Sequence, residues 1–301
     1  MKNLLLGLVM LSPAFLSAAA LPALTLESVD IKALKFTPAP RPAYAPPQRD
    51  PSETVPNPEY RCNRPLVYLD SWRAIFKNGA QMGTSAKDFK TSCDGSVSWT
   101  NDYREIYKDQ TRLGSSVSRY EMAWNSGNVI WEDSYRTLYK DQTRLGSSAR
   151  QFDVNGWTGS VAWIDSSGTM YKDDRRLGSS ASRYALGLYT DDVAWIDSSR
   201  TIYKNDDRLG SSARDFAVNS YTGSVVWTND SREIYRDGDR LGRGVTRFEV
   251  ARYTGDVFWL SDSRELYKNG DRLGTSVREF MIEADGRVAW KDDFGQWHYS
   301  R

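Results

Sequence analysis

Proline vanishes from this 301-residue chain after Pro65; all eleven lie at or before that position. The long remainder is therefore free to form unbroken strand ladders, which an imide nitrogen would interrupt. Histidine is almost missing as well. The single His298 leaves the serine-rich repeats without the base that a serine hydrolase needs and supplies transition-metal ligation poorly. There are two cysteines, Cys62 and Cys93, and no CxxC pair. Neither sign of charge dominates: 40 Lys and Arg are interspersed with 39 Asp and Glu, so no basic stripe offers itself to a phosphate backbone and nucleic acid is not an expected partner. No apolar run reaches the roughly 20 residues that cross a bilayer.

The longest such run, Leu4 to Leu16, is broken by Pro13 and ends at Ser17-Ala18-Ala19-Ala20, a small-residue sequence of the kind signal peptidases cut. Residues 1–20 read as a signal peptide and the protein as exported, periplasmic or secreted, and not membrane-spanning after cleavage. Residues 21–65 read as a proline-rich arm, extended and semi-rigid from Thr37 onward; Leu24 to Ile31 alternates enough for a short strand. An oxidising compartment favours a disulfide between Cys62 and Cys93 that pins the arm to the first blade.

Self-similarity decides the architecture of residues 66–301. Trp99, Trp131, Trp163, Trp195, Trp227 and Trp259 recur every 32 residues, Trp290 follows 31 later, and Tyr68 stands 31 before Trp99. Eight residues beyond each marker comes another aromatic through most of the chain, Tyr107 to Tyr267, with Phe76 in the first unit. A Leu-Gly pair recurs from Leu113-Gly114 to Leu273-Gly274, with Met82-Gly83 first. Within a unit such as Val193 to Ser224, four short apolar runs are separated by turn residues, and Asp237-Gly238 and Asn269-Gly270 carry a hairpin signature. Four strands of about five residues fill the period.

Like charges argue for blades rather than stacked coils. A solenoid would set Arg112, Arg144, Arg176, Arg208, Arg240 and Arg272 about 4.8 Å apart, a destabilising ladder, whereas blades hold equivalent residues about 10 Å apart. The first strand is also apolar on both faces, as a blade wedged between neighbours requires. The expected fold is all-β, a β-propeller of four-stranded blades of about 32 residues with the chain ends closing the ring; seven blades are favoured and eight remain open, because the units end in a half from Val288 to Tyr299. With its tandem Trp-x-Asp turns, Tyr-Lys hairpins and Leu-Gly corners, the region resembles exported bacterial β-propeller repeat proteins and is similar to lectin propellers of the tectonin and tachylectin type. Its unit is shorter than the roughly 40 residues of a familiar blade. The resemblance implies the fold; no ligand motif matches residue by residue.

Polar groups repeat too evenly to single out a catalytic set, so no enzyme and no cofactor is expected. Asp70, Asp133, Asp165, Asp197 and Asp292, two places after the marker, suit turns in which Asp bonds its own backbone, and no calcium loop is present. Aromatics in turns are the functional lead. Trp157, Tyr189, Tyr221 and Tyr253 precede the turn into each marker strand, with Trp124 one place off register; Trp72, Tyr103, Tyr135 and Phe294 occupy the turn after it, where the middle units have Ser. Exposed, such rings would stack on sugars or meet a partner's apolar surface, gaining by multivalency; otherwise they would cover the joints between blades. The expected partner is a glycan or, alternatively, an envelope protein, bound by a non-catalytic module.

Overall fold

The computed structural model describes Cys62, residues 64–283 and residues 286–300. The signal peptide, nearly all of the arm and the strand expected at 24–31 lie outside the described residues.

Every described strand belongs to one of eight antiparallel sheets following one another along the chain. The first holds β1 (Val67–Leu69), β2 (Ile75–Lys77) and β3 (Ala80–Gly83); the second holds β4 (Ala86–Thr91), β5 (Val97–Asn101), β6 (Ile106–Lys108) and β7 (Thr111–Gly114), in that spatial order. Sheets three to seven repeat this four-stranded pattern from Val117 to Gly274, and the eighth, from Val277 to Tyr299, has three strands. The arrangement is propeller-like and all-β, with eight sheets, the larger of the two numbers the repeat allows. The difference lies in phase. Strand four of each repeat pairs with strand one of the next, as β4 does with β5, so Ser115-Ser116 is a crossing between sheets and not a hairpin. Among the described residues the end sheets also stay separate, β1 and the last strand, Trp297–Tyr299, pairing only within their own sheets.

The repeated residues explain one another. Trp131 stacks on Tyr139 at 4.2 Å within its sheet, and its indole N–H donates to the Asp141 carbonyl at 2.8 Å. The far edge of the same ring lies against Gly114 of the preceding sheet, where a Cβ would stand 2.1 Å from it. The glycine of the Leu-Gly corner is therefore required by a neighbouring ring, while the left-handed turn falls on Ser116, at φ 60°. Trp227 and Trp259 are the exceptions: their buried indole N–H groups lack a partner, and theirs are the sheets whose hairpins carry Gly238 and Gly270, each with positive φ.

Each hydrophobic cluster fills one junction. Ala162, Ile164 and Met170 of sheet four, for example, meet Ala181, Val193 and Trp195 of sheet five, and burial of each large apolar side chain contributes about 1.5–3 kcal/mol. Polar rungs cross the same junctions. Lys77 reaches Asp109 at 2.7 Å and Lys140 reaches Asp173 at 3.2 Å, each lysine pairing with a hairpin carboxylate in the next sheet. Arginines of the third strand pair in two ways: Arg112 with Glu105 at 2.9 Å and Arg272 with Glu265 at 2.9 Å inside their own sheets, and Arg175 with Asp206 of the next sheet's hairpin turn at 2.6 Å.

The disulfide forms, with Cα atoms 4.6 Å apart. Its position differs from the expected one: Cys93 lies in the loop between β4 and β5, so the bridge fastens Cys62 to the second sheet.

Candidate functional site

The two sets of turn aromatics occupy opposite ends of the marker strands and have different fates. At one end lie the loops joining the first and second strands of each sheet. These loops bond to one another: Cys93 N–H donates to Trp124 O, Asn125 N–H to Gly156 O at 2.8 Å, and Tyr189 N–H to Ser220 O at 2.9 Å. The Asn155 side chain donates to Gly187 O at 2.7 Å and the Asn219 side chain to Ala251 O at 2.8 Å. The rings follow their backbones into a row. Trp124 lies 5.5 Å from Trp157, Trp157 5.9 Å from Tyr189, Tyr189 4.2 Å from Tyr221, and Tyr221 4.8 Å from Tyr253. Trp124 also reaches Tyr189, two sheets away, at 6.4 Å, which places the row at the point where the sheets converge.

All five rings are half-buried. Gly156 lets Trp124 lie on the next loop, because a Cβ there would stand 2.1 Å from the indole. The Arg252 guanidinium caps the row, 5.5 Å from the Tyr253 centroid and 6.0 Å from that of Tyr221. Burial, followed by the hydrogen bond with Tyr189, raises the Tyr221 hydroxyl above the usual phenol range. A cleft lined by Cys62, Cys93, Trp124, Leu188, Tyr189 and Arg252 remains beside the row. These residues chiefly pack against one another and knit successive loops together.

The other set stands free. Trp72, Tyr103, Tyr135 and Phe294 are 87, 76, 82 and 87% exposed. Their turns are nevertheless fixed at several points. Asp70 Oδ1 accepts from Trp72 N–H at 2.9 Å and from Ala74 N–H at 2.8 Å; Asp133 holds Tyr135 and Thr137 N–H in the same way, each at 2.8 Å. Asp165, Asp197 and Asp292 repeat the device, confirming these carboxylates as turn caps. In sheet two Asn101 takes the part.

Behind each of the first three rings an arginine adopts the left-handed region, at φ 61° for Arg73, Arg104 and Arg136. Non-glycine residues seldom stay there unless their surroundings hold them. Arg73 Nε donates to Ala86 O and Arg104 Nε to Val117 O, both at 3.0 Å, tying each turn to the following sheet. The Arg73 guanidinium also pairs with Asp102 at 2.8 Å. Each ring thus stands on a turn braced by its own cap and by the next sheet, and sheets one to three present three in succession.

His298 takes the place of the marker's partner in the last sheet, 5.6 Å from Trp290 and 2.9 Å from Asp292. The hydrogen bond with His298 holds the Asp292 carboxyl below its ordinary value. Among the described residues no group of His, Cys, Asp and Glu side chains is placed to hold a metal ion.

No protein-family model matches the chain, and no curated protein matches it. Solved structures to which it is similar include a eukaryotic initiation factor (8% identity, 74% of this chain and 77% of that one, TM-score 0.40). Others are the C-terminal WD40 domain of Sif2 (8%, 78% and 88%, TM-score 0.33) and the tricorn protease (14%, 78% and 31%, TM-score 0.32). The comparisons give the lectin side of the sequence resemblance no support.

Proposed function

We propose that this protein is an exported, non-catalytic binding module whose ligand is a glycan, held across the turns that carry Trp72, Tyr103 and Tyr135. The observation that carries this reading is the exposure of three large rings on rigid, equivalent turns of successive sheets, while the rings at the opposite strand ends stack on one another. An aromatic face presented with little side-chain freedom suits stacking against a sugar ring. Sheets pack about 10 Å apart, so an extended polymer can meet several turns at once and multiply weak contacts. Arg73 and Asp102, neighbours in sequence of Trp72 and Tyr103 and paired with each other, offer hydrogen-bonding groups for hydroxyls. Export is supported by the N-terminal residues 1–20 and by the disulfide, a bond that persists in oxidising compartments. Absence of catalysis is supported by the even repetition of the polar residues.

Titration of the mature protein with solubilised envelope glycans, followed by tryptophan fluorescence, tests the reading. A saturable change is expected, lost in a folded Trp72→Ala/Tyr103→Ala/Tyr135→Ala variant. Capture of a defined envelope protein by the wild type but not by this variant, with no glycan response, would replace the glycan by a protein partner on the same turns.

A further inference from the structure

Two clefts occupy equivalent places four repeats apart, one between sheets two and three and one between sheets six and seven. The first is lined by residues that include Lys87, Asp88, Arg104, Arg119 and Tyr120. The second, of about 460 Å³, is lined by Arg214, Asp215, Thr228, Asn229, Arg232, Val245, Thr246, Arg247 and Phe248. Their backbones correspond, and their charges are deployed differently.

In the first cleft the charges other than Lys87 are satisfied by neighbouring residues, Lys90 pairing with Glu121 at 2.6 Å. Asp88 Oδ1 accepts from Thr100 Oγ1 at 2.6 Å and from Tyr120 Oη at 2.9 Å, fixing a carboxylate in the cleft. Arg119 pairs with Glu132 at 2.6 Å, and Arg104 Nε is spent on Val117 O. In the second, Phe248 stands where Tyr120 does and Leu260 where Glu132 does. Without the phenol, Asp215 accepts from Phe216 N–H at 2.9 Å and lies 3.6 Å from Arg183 of the preceding sheet. The Thr228 hydroxyl, counterpart of the one that donates to Asp88, has no partner among the described residues, although Thr228 is buried. Arg247 pairs with the half-buried Glu249 and stacks over Phe280 of the next sheet, 4.9 Å from its ring centroid. Arg232 has lost the cross-sheet pair that its counterparts make, Arg200 with Asp230 and Arg264 with Asp293. Neither the Arg214 nor the Arg232 guanidinium has a partner among the described residues.

Two unpaired arginines, Arg214 and Arg232, thus line a cleft whose one carboxylate, Asp215, is engaged elsewhere. The crossing between these sheets also departs from the repeat: Arg243-Gly244 replaces the Ser-Ser, or in two units Thr-Ser, of the others. We propose that the cleft between sheets six and seven is an oxyanion site, taking a phosphate or sulfate group carried by a ligand, with Arg214 and Arg232 as cationic partners and Thr228 as hydroxyl donor. Planar guanidinium forks match such oxygens in pairs, and charge-assisted bonds of this kind are stronger than neutral ones. The inference does not depend on the aromatic turns binding sugar.

The test is calorimetric titration of the mature protein with inorganic phosphate and, separately, sulfate at constant ionic strength, which also decides between the two sources. Saturable binding with a Kd of about 1 mM is expected for at least one anion. Arg214→Gln/Arg232→Gln should weaken it by about tenfold or more, whereas Arg144→Gln, which removes an exposed charge elsewhere, should leave it unchanged. Phe248→Tyr restores the phenol that holds Asp88 in the other cleft; by drawing Asp215 inward it should weaken binding several-fold without loss of fold. Absence of saturable binding to either anion, or an equal loss with Arg144→Gln, would overturn the site.

Discussion

The marker strands carry aromatic residues at both ends, and the two ends use them for opposite purposes. Where the sheets converge, loops stand close enough for backbone bonds between neighbours, so any ring there has another ring within 6 Å and becomes packing. At the other end the turns are held by Asp caps and by arginines reaching the next sheet, and the rings project beyond these braces. Residue type does not separate the groups, since Trp and Tyr occur in both. Distance between neighbouring backbones does: one end supplies a cohesive plug and the other a set of separate platforms.

The largest effects should come from breaking the plug. Trp157→Ala removes a ring that touches both Trp124 and Tyr189, and a loss of about 3 kcal/mol in unfolding free energy is expected by denaturant titration, the lower end for large aromatic truncations because the ring is half-buried. Tyr103→Ala at the other end should change stability by less than about 0.5 kcal/mol. Equal losses at both ends would erase the distinction. Reduction of Cys62–Cys93, which lies beside the plug, should cost about 3.7 kcal/mol in the chain-entropy account of a bridge closing a 31-residue separation; the reduced and oxidised forms can be compared by the same titration.

Smaller effects should come from loosening the platforms. Asp133→Ala frees the N–H groups of Tyr135 and Thr137, and about 1 kcal/mol should be lost, as for other side-chain caps of backbone donors. Ligand affinity should fall with it, because the ring no longer rests on a fixed turn. Acid should act on the same end. Glu105 is held below its ordinary value by hydrogen bonds from Asn101 and Tyr107, Glu233 by those from Asn229 and Tyr235, and Glu265 by those from Tyr267 and Arg272. A depressed folded-state pKa stabilises above the unfolded value of about 4.3 and that stabilisation disappears as pH falls through the lower folded value. Unfolding midpoints should therefore be level near neutrality and drop below about pH 4. The drop should shrink in a Glu105→Gln/Glu233→Gln/Glu265→Gln variant.

Much of this organisation was legible in residues that repeat. Trp131, Tyr139 and Gly114 recur together because one ring stacks on the second and covers the third, and an Asp two places after the marker announced its turn. Phase was not legible: Ser115-Ser116 has the composition of a hairpin turn, and only pairing of β4 with β5 reveals a crossing and raises the count to eight. Nor could the fate of the turn aromatics be read, since Trp157 and Tyr135 look alike until the distance between successive loops is known. The basic cleft escaped for a different reason. It rests on a comparison of two particular clefts, Phe248 and Leu260 standing where Tyr120 and Glu132 hold charges, at positions where the repeat itself varies and sets no expectation.

The smallest expected effect is the most direct extension of the comparison. Sheet four carries Ser167 where sheets one to three carry rings, and Asp165 caps its turn through the N–H groups of Ser167 and Thr169 just as Asp133 does for Tyr135. Ser167→Tyr should therefore place a fourth ring in line with the other three, on a turn with the same Asp cap but with Gly168 in place of the bracing arginine, without disturbing any junction. Stability should stay within about 0.5 kcal/mol of the wild type. If the platforms act together on one extended ligand, a further stacking contact of about 1 kcal/mol should tighten glycan binding roughly fivefold, measured by the same fluorescence titration. An unchanged affinity for long glycans would mean that each ring binds alone, and the three turns would then be separate sites rather than one continuous surface.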